Sequence, residues 1–174
     1  MERHLCLSFI LWGVYMSLPE NDYQILKLTN DFYNDYPNPP HKEILEKKQR
    51  AYNCLLFQSH YDYFICIPYR SEINHEYAYH FKFSSRARKH KSGLDYSKII
   101  IIKNTKYLDE KTAIIDKDEF KETIKFFEII KKEALEYVED YVAYVKNEKN
   151  THIREFERRY SFSTLKYFHD ELGI

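Results

Sequence analysis

The pattern of apolar and polar positions predicts a strand-rich first part of the chain. YQILKLTNDFY (residues 23–33) alternates, which predicts a strand followed by a turn. The β-type runs AYNCLLF (51–57) and YFICIPY (63–69) are separated by the turn-like QSHYD and predict a hairpin. EYAYHFKF (76–83) alternates strictly, and KIIIIK (98–103) is apolar between two lysines. Together these runs predict a compact, mostly antiparallel sheet or small barrel.

The C-terminal third changes to a helical period. A capping box begins at Asp116, and the residues after it predict one long helix over about 117–147. The apolar face of this helix is expected to contain Phe120, Ile124, Phe127, Ile130, Ala134, Tyr137, Val138, Tyr141 and Val145. A second helical region starts near His152, and Ser163 is expected to cap a last short helix closed by Gly173. The predicted fold class is therefore α+β, a sheet followed by packed helices.

Length and composition indicate one domain. The chain has 174 residues, of which 44% are hydrophobic, and this is enough to bury a core. The apolar segment LCLSFILWGVYMSL is shorter than most membrane spans and falls in the range of a signal-peptide core. No cleavage-site pattern follows it, so we expect residues 1–15 to be an upstream extension, Met16 to be the start and 16–174 to be a single domain. A genuine hydrophobic arm is the alternative.

The three cysteines indicate a reducing compartment. Cys6, Cys54 and Cys66 form an odd set without metal-type spacing. Because Cys54 and Cys66 fall on predicted neighbouring strands, we interpret them as buried thiols. These observations lead us to expect a cytoplasmic protein without a metal or another cofactor.

Positive charge is concentrated locally rather than over the whole chain. Lys+Arg and Asp+Glu both total 27, so no global basic field indicates a nucleic-acid binder. Between Glu76 and Asp95 there is no acidic residue, and His80 and Lys82 are predicted to share a solvent-facing strand side. The segment SSRARKHKSGLD, predicted to be a loop, completes the basic cluster of Lys82, Arg86, Arg88, Lys89 and Lys91. This cluster is a candidate RNA-binding surface, and an ordinary solvated loop is the alternative.

Arg70, Ser71 and His75 follow the second strand of the predicted hairpin. Metal-free RNA cleavage needs a base for the 2'-hydroxyl proton, an acid for the 5'-oxygen and donors that stabilise the charged phosphate. A guanidinium suits two phosphate oxygens, a hydroxyl can donate to them, and an imidazole exchanges protons near neutrality. Taken singly, each residue also fits a structural role, such as a cap, a salt bridge or a turn contact.

Three further cations precede the first strand of the hairpin. Lys47, Lys48 and Arg50 would end on the same side as Arg70 if the hairpin is tight. Two cations around one phosphate are unfavourable without an anion, which is a reason to expect one. Arg50 is the stronger candidate, because the two lysines also fit a solvated linker.

Several segments in this order resemble the toxins of type III toxin-antitoxin systems. They are RAY before a strand, IPYRS, INHEYAY, SGLDYSK before an isoleucine strand, and YSFSTLKYFHDEL. Within the ToxN/AbiQ-like superfamily, the chain is most similar to the TenpN group. The resemblance spans roughly residues 23–172.

The resemblance implies a metal-independent endoribonuclease with a sheet core related to the MazF/Kid-type fold. Proteins of this kind act in phage defence and leave 2',3'-cyclic phosphate and 5'-hydroxyl ends on cellular or phage RNA. They are inhibited by repeated RNA antitoxins folded as pseudoknots, with which they form closed assemblies, and we expect neither DNA nor a membrane as a partner.

On matching positions, Arg50 stands where the family has a lysine, Arg70 replaces a threonine and Ser71 retains a serine. Arginine does not titrate usefully, so we assign proton transfer to His75. The basic cluster would then bind antitoxin or substrate phosphates. Two alternatives remain, namely a non-catalytic RNA-binding module and a secreted or membrane-tethered interaction protein that uses the N-terminal apolar segment.

Overall fold

The fold is α+β, as the sequence predicts. The computed structural model describes residues 23–45, 53–109, 113–150 and 152–174. Within these ranges, a seven-stranded sheet forms the core and several helices pack against it.

The sheet is antiparallel and open, so it is a sheet rather than a barrel. Its order is β4-β5-β3-β2-β1-β7, with β6 pairing with β3. The strands are β1 Tyr23–Leu28, β2 Asn53–Gln58, β3 Phe64–Arg70, β4 Ala78–His80, β5 Gly93–Asp95, β6 Ile100–Ile102 and β7 Leu108–Asp109. One edge of β3 pairs with β2, and the other pairs first with β6 and then with β5. β3 therefore pairs with core strands along its first part and with β5 at its C-terminal end.

The predicted hairpin of β2 and β3 is confirmed. Cys54 lies opposite Pro68 and Leu56 lies opposite Cys66. Cys54 and Cys66 are fully buried thiols, as expected for strands that are buried on both faces. Burial raises the pKa of Cys66 well above its usual value. Cys6 lies outside the described residues.

Six helices accompany the sheet in the described part of the chain. They are α1 Asn30–Asp35, α2 Ser85–His90, α3 Lys117–Lys125, α4 Phe127–Val145, α5 Ile153–Tyr160 and α6 His169–Leu172. Short 3₁₀ turns occur at Tyr96–Lys98, Thr105–Tyr107 and Thr164–Tyr167. As expected, the Ser163 side chain caps the last of these turns, and Gly173 ends α6 in a left-handed conformation with φ 69°.

The predicted long helix is confirmed over α4, but its predicted start at 117 is wrong, because the helix breaks at Phe126. This residue has φ −113° and ψ 18° and separates α3 from α4. Phe126 packs beside Tyr79 near β4, whereas Phe127 packs beside Tyr23 on β1. Two consecutive aromatic rings thus pack against different strands. This tertiary packing overrides the helical periodicity of the sequence, which continues through Phe126.

The exposed and buried faces of α3 are also reversed from the prediction. Phe120 and Ile124 are 40% and 42% exposed, while Glu119, Glu122 and Thr123 are buried. Asp116 caps the helix by accepting the N–H groups of residues 118 and 119. Because the Glu119 side chain points to other partners, only half of the predicted capping box forms.

The basic segment predicted as a loop is α2 followed by β5. Ser84 accepts the N–H of Ala87 at 2.8 Å and so caps α2, which ends at Lys91 in a left-handed conformation. The strand predicted over 76–83 is correspondingly short and contains only β4. No described helix has the length and apolarity needed to cross a membrane, and the predicted leader (1–15) and Met16 lie outside the described residues.

Candidate functional site

The end of β3 is held against β5 and β4 by a close backbone approach at Gly93. Gly93 pairs with Arg70 on one side and with His80 on the other. A Cβ atom at Gly93 would lie 2.3 Å from the carbonyl oxygen of Tyr79, which leaves no room for a side chain. Glycine at this position therefore lets β4, β5 and the end of β3 assemble.

The side chains of Arg70 and His75 meet at the carboxylate of Asp95, the last residue of β5. Asp95 is fully buried, and its Oδ2 accepts a hydrogen bond from Nη1 of Arg70. Its Oδ1 lies 3.5 Å from Nε2 of His75 and accepts from both the N–H and the hydroxyl of Ser97, at 2.9 and 2.7 Å. One carboxylate thus links two of the predicted site residues.

The network keeps Asp95 ionised. Burial, the largest single influence, raises the pKa of Asp95, but hydrogen bonds from His75 and Ser97 and the charge of Arg70 lower it more. The net result is a pKa below the usual value for aspartate, so Asp95 carries its negative charge at neutral pH.

Arg70 and His75 both reach solvent. Their side chains are 23% and 35% exposed, whereas that of Asp95 is 0% exposed. Arg70 has five N–H donors, and Asp95 is its one hydrogen-bond acceptor among the described residues. The guanidinium therefore retains donors that a ligand could use.

Ser71 begins a tight turn directly after β3. It is half-buried, and its hydroxyl has no hydrogen-bond partner in the part of the chain that the structure describes. The next residue, Glu72, has φ 59°, a left-handed conformation that is uncommon for a residue with a side chain. The N–H groups of Glu72 and Ile73 bind the carbonyl oxygens of His90 and Lys91 at 2.6 and 3.2 Å, which fixes the turn against α2.

His80 supports the segment that carries His75. Its Nε2 lies 2.8 Å from the carbonyl oxygen of His75, and the residue is half-buried rather than openly solvent-facing. Ala78, on the same predicted strand side, is 8% exposed. Lys82 is exposed, and its backbone N–H is bound by Glu122.

The cations of the basic cluster differ in how far the protein itself neutralises them. Arg86 forms an ion pair with buried Glu119 at 2.7 Å, and Lys91 donates to the amide oxygen of Asn74 at 2.8 Å. Lys82, Arg88 and Lys89 are exposed, and their side chains have no ion pair within the described ranges. These three are the cations most available to a phosphate backbone, and the last two lie on α2.

Two buried carboxylates of α3 hold the segment that contains β4 and α2. Glu119 accepts hydrogen bonds from Ser84, Ser92 and Arg86. Glu122 accepts from the Tyr79 hydroxyl and from the N–H groups of residues 82 and 83, at 3.0 to 3.2 Å. This explains why α3 turns its polar face inward, since an apolar face could not satisfy those donors.

Asp95 is the site residue that the sequence reasoning missed. It ends the acid-free interval and stands two residues before Ser97, a spacing at which an aspartate commonly accepts backbone and hydroxyl hydrogen bonds. The sequence predicts a loop over this segment and therefore gives no indication that it pairs with β3.

Three predicted site residues cannot be placed. Lys47, Lys48 and Arg50 lie outside the described residues. Within the described ranges, no three His, Cys, Asp or Glu side chains are grouped so that they could hold a metal ion.

Comparison of the chain with protein-family models, with curated proteins and with solved structures finds no match. The resemblance to type III toxins therefore rests on the motifs in the sequence.

Proposed function

We propose that this chain is a metal-independent endoribonuclease toxin of a type III toxin-antitoxin system, similar to the TenpN group. The observation that carries the proposal is the meeting of Arg70 and His75 at buried Asp95 while both side chains reach solvent. A phosphate-binding cation and a proton-exchanging imidazole next to one another are groups that cleavage of RNA by its own 2'-hydroxyl needs.

In the proposed reaction, the free N–H donors of Arg70 bind the non-bridging oxygens of the scissile phosphate. The 2'-oxygen attacks phosphorus as the imidazole of His75 takes its proton, the bond from phosphorus to the 5'-oxygen breaks, and the same imidazole returns the proton to that oxygen. The products are a 2',3'-cyclic phosphate and a 5'-hydroxyl. Nε2 of His75 is turned towards Oδ1 of Asp95, which orients the ring, so Nδ1, which has no hydrogen-bond partner among the described residues, is the nitrogen left to exchange a proton with bound RNA.

Asp95 acts as a positioning residue. Its enclosed carboxylate holds Arg70 through one oxygen and faces His75 with the other. Because Arg70 lies between Asp95 and solvent and carries the opposite charge, the pair does not present an unbalanced negative charge to an incoming phosphate. Ser71, whose hydroxyl has no described partner, donates to the same phosphate, and Arg50 supplies a further cation.

The partners follow from the resemblance and from the exposed cations. Arg88 and Lys89 on α2 are available to backbone phosphates, with Lys47, Lys48, His80, Lys82, Arg86 and Lys91 as the remaining RNA-binding candidates. We propose a repeated RNA antitoxin, folded as a pseudoknot, that inhibits the toxin in a closed assembly in the cytoplasm. Cellular or phage RNA is the proposed substrate.

The decisive experiment incubates the purified chain with end-labelled RNA in the presence of EDTA. Cleavage to cyclic-phosphate and 5'-hydroxyl ends is expected, with a loss of about 10² to 10⁴-fold in rate for His75→Ala. His60→Ala is the matched control, because His60 is 56% exposed and pairs with Glu139 instead. A loss of less than about tenfold at His75 would remove it from the mechanism.

A non-catalytic RNA-binding module is the second candidate, favoured by the unpaired Arg88 and Lys89 on α2. It predicts that RNA stays intact in the same incubation while binding weakens steeply with salt. Intact RNA with the wild-type chain would therefore replace the first proposal with the second.

A further inference from the structure

The ring of Tyr77 neighbours both His75 and Arg159. The His75 and Tyr77 ring centroids are 6.1 Å apart with 28° between their planes. Cζ of Arg159 lies 5.8 Å from the Tyr77 centroid. A cation from α5 is thus one aromatic ring away from the histidine of the proposed nuclease site.

Arg159 is held rigidly at this place. Its guanidinium also lies over the rings of Tyr137 and Tyr160, at 5.2 and 5.3 Å, and its Nη1 donates to Oδ2 of Asp140 at 2.9 Å. The side chain is still 31% exposed. Cation–π contacts of this kind fix the position of a guanidinium without using its N–H donors.

The hydrogen bonding around Tyr77 is incomplete. In the described part of the chain, three buried side-chain atoms have no hydrogen-bond partner, namely Asn53 Oδ1, His75 Nδ1 and Arg159 Nε. The last two flank Tyr77, and Asn53 adjoins residues that are not described. Unpaired buried polar atoms are rare enough in proteins that a pair of them beside one ring needs an explanation.

A cleft of about 260 Å³ opens beside Arg159. Its wall consists of Asp140, Lys149, Asn150, His152, Glu155, Phe156, Arg159 and Tyr160. Lys149 binds the second oxygen of Asp140, so Arg159 and Lys149 share one carboxylate. Glu155 is a second carboxylate, so the formal charges of the cleft wall sum to zero. The cleft therefore has no net positive charge to attract RNA by itself, and we expect it to bind an RNA strand that Arg70 already holds.

We propose that Arg159, with Tyr77 as the spacer, forms a second subsite that binds a phosphate of the RNA strand neighbouring the scissile one. This proposal rests on the proposed nuclease function. Arg159 has donors left over from its single bond to Asp140, and the planar fork of a guanidinium matches two phosphate oxygens. Tyr77 sets the distance between the two subsites, since its ring contacts both His75 and Arg159.

The test compares Arg159→Ala with Arg158→Ala, a matched control at an exposed position on the same helix. On an RNA of several nucleotides, Arg159→Ala is expected to lower kcat/KM about tenfold, the usual effect of one hydrogen-bonded charge, while the control stays within about twofold. On a dinucleoside monophosphate, which has only the scissile phosphate, both variants are expected to equal the wild type. A purely structural role for Arg159 would slow both substrates alike, and that result would overturn the subsite.

Urea unfolding identifies a variant that fails to fold, in which case Arg159→Lys replaces it. Lysine keeps the charge but loses the fork, so it is expected to show the same substrate-length dependence with a smaller loss.

Binding of an RNA with a 2'-deoxynucleotide at the cleavage position separates this proposal from the nuclease assignment. One outcome is that the wild-type chain does not cleave unmodified RNA, but Arg159→Ala weakens binding of the deoxy-substituted RNA about tenfold relative to Arg158→Ala. In that case the nuclease proposal is wrong and the phosphate subsite is supported. If the wild-type chain cleaves and the two variants bind and cleave equally, the subsite is wrong and the nuclease function stands.

Discussion

Two regions of the molecule bury carboxylates beneath cationic segments, and they do so in different ways. Asp95 is approached by Arg70 and His75, whose side chains remain 23% and 35% exposed. Glu119 is enclosed by two serine hydroxyls and by Arg86, and Glu122 mainly by backbone N–H groups. The carboxylate of Asp95 therefore orients two partly exposed side chains, whereas the partners of Glu119 and Glu122 are mostly buried hydroxyls and backbone N–H groups, with Arg86, 37% exposed, as the exception.

The difference separates a candidate site from a structural tether. A buried carboxylate whose partners are engaged within the protein stabilises the fold, here by attaching α3 to the basic segment. A buried carboxylate that orients partly exposed groups prepares them for a ligand. Four experiments test this distinction.

The largest effect is expected from Asp95→Asn. We expect RNA cleavage to fall about 100-fold, because Arg70 loses its ionic partner and His75 its orienting oxygen. Single-turnover cleavage rates under conditions where the variant is folded provide the measurement. Glu122→Gln is the control and should retain most of the wild-type rate. Equal losses in the two variants would mean that both carboxylates are tethers.

Glu119→Ala should mainly affect stability. Removing this carboxylate leaves the hydroxyls of Ser84 and Ser92 without an acceptor and Arg86 without its partner. We expect the free energy of unfolding in urea to fall by about 2 kcal/mol. Glu128→Ala, an exposed glutamate at the start of α4, should change it by less than about 0.5 kcal/mol. A similarly small change at Glu119 would contradict its role as a tether.

Acid should weaken the Asp95 network in a predictable direction. The pKa of Asp95 is lower in the folded protein than in an unfolded chain, so its contribution to stability is complete above the unfolded value and is lost as pH falls through the folded value. Urea unfolding below about pH 4 should therefore show a steeper loss of stability for the wild type than for Asp95→Asn.

Asp35 contributes to acid sensitivity in the same direction, because a hydrogen bond from Lys106 and a second from Tyr107 lower its pKa. Since Asp35 is present in both proteins, the difference between wild type and Asp95→Asn isolates Asp95. Parallel pH curves would show that the Asp95 network adds no pH-dependent stability.

The smallest effects are expected on α2. Lys89→Ala should reduce the slope of log Kd for RNA against log salt concentration by about one, the effect of one lost phosphate contact. The free energy of unfolding should change by less than about 0.5 kcal/mol. Arg86→Ala should change that salt dependence less, because Glu119 already neutralises Arg86, and should cost more stability. The reverse ranking would show that the tethered cation, and not the free one, meets RNA.

Much of the fold follows from local patterns. The β2–β3 hairpin, the buried run at Ile100–Ile102 and the helix after His152 each depend on residues close together in the chain. Arg70, Ser71 and His75 were found in the same way, because they directly follow an apolar strand.

The features that the sequence does not predict depend on contacts between distant segments of the chain. Asp95 reaches Arg70 only because β5 pairs with β3, and the sequence between them gives no periodic signal for that pairing. The break at Phe126 reflects where two neighbouring rings pack, and the inward polar face of α3 reflects donors that lie more than 25 residues earlier. A helical period records that one face is apolar but not which face the rest of the protein needs.

The missing side chain at Gly93 has a consequence for finding relatives of this protein. A Cβ atom at Gly93 would collide with the β4 backbone at Tyr79, so a protein that packs β4 against β5 in the same way beside this site needs glycine two positions before the aspartate. The ordered signature is an arginine, a histidine five residues further on after the intervening turn, and then a distant Gly-x-Asp, and it can be sought in genomes where overall similarity has faded.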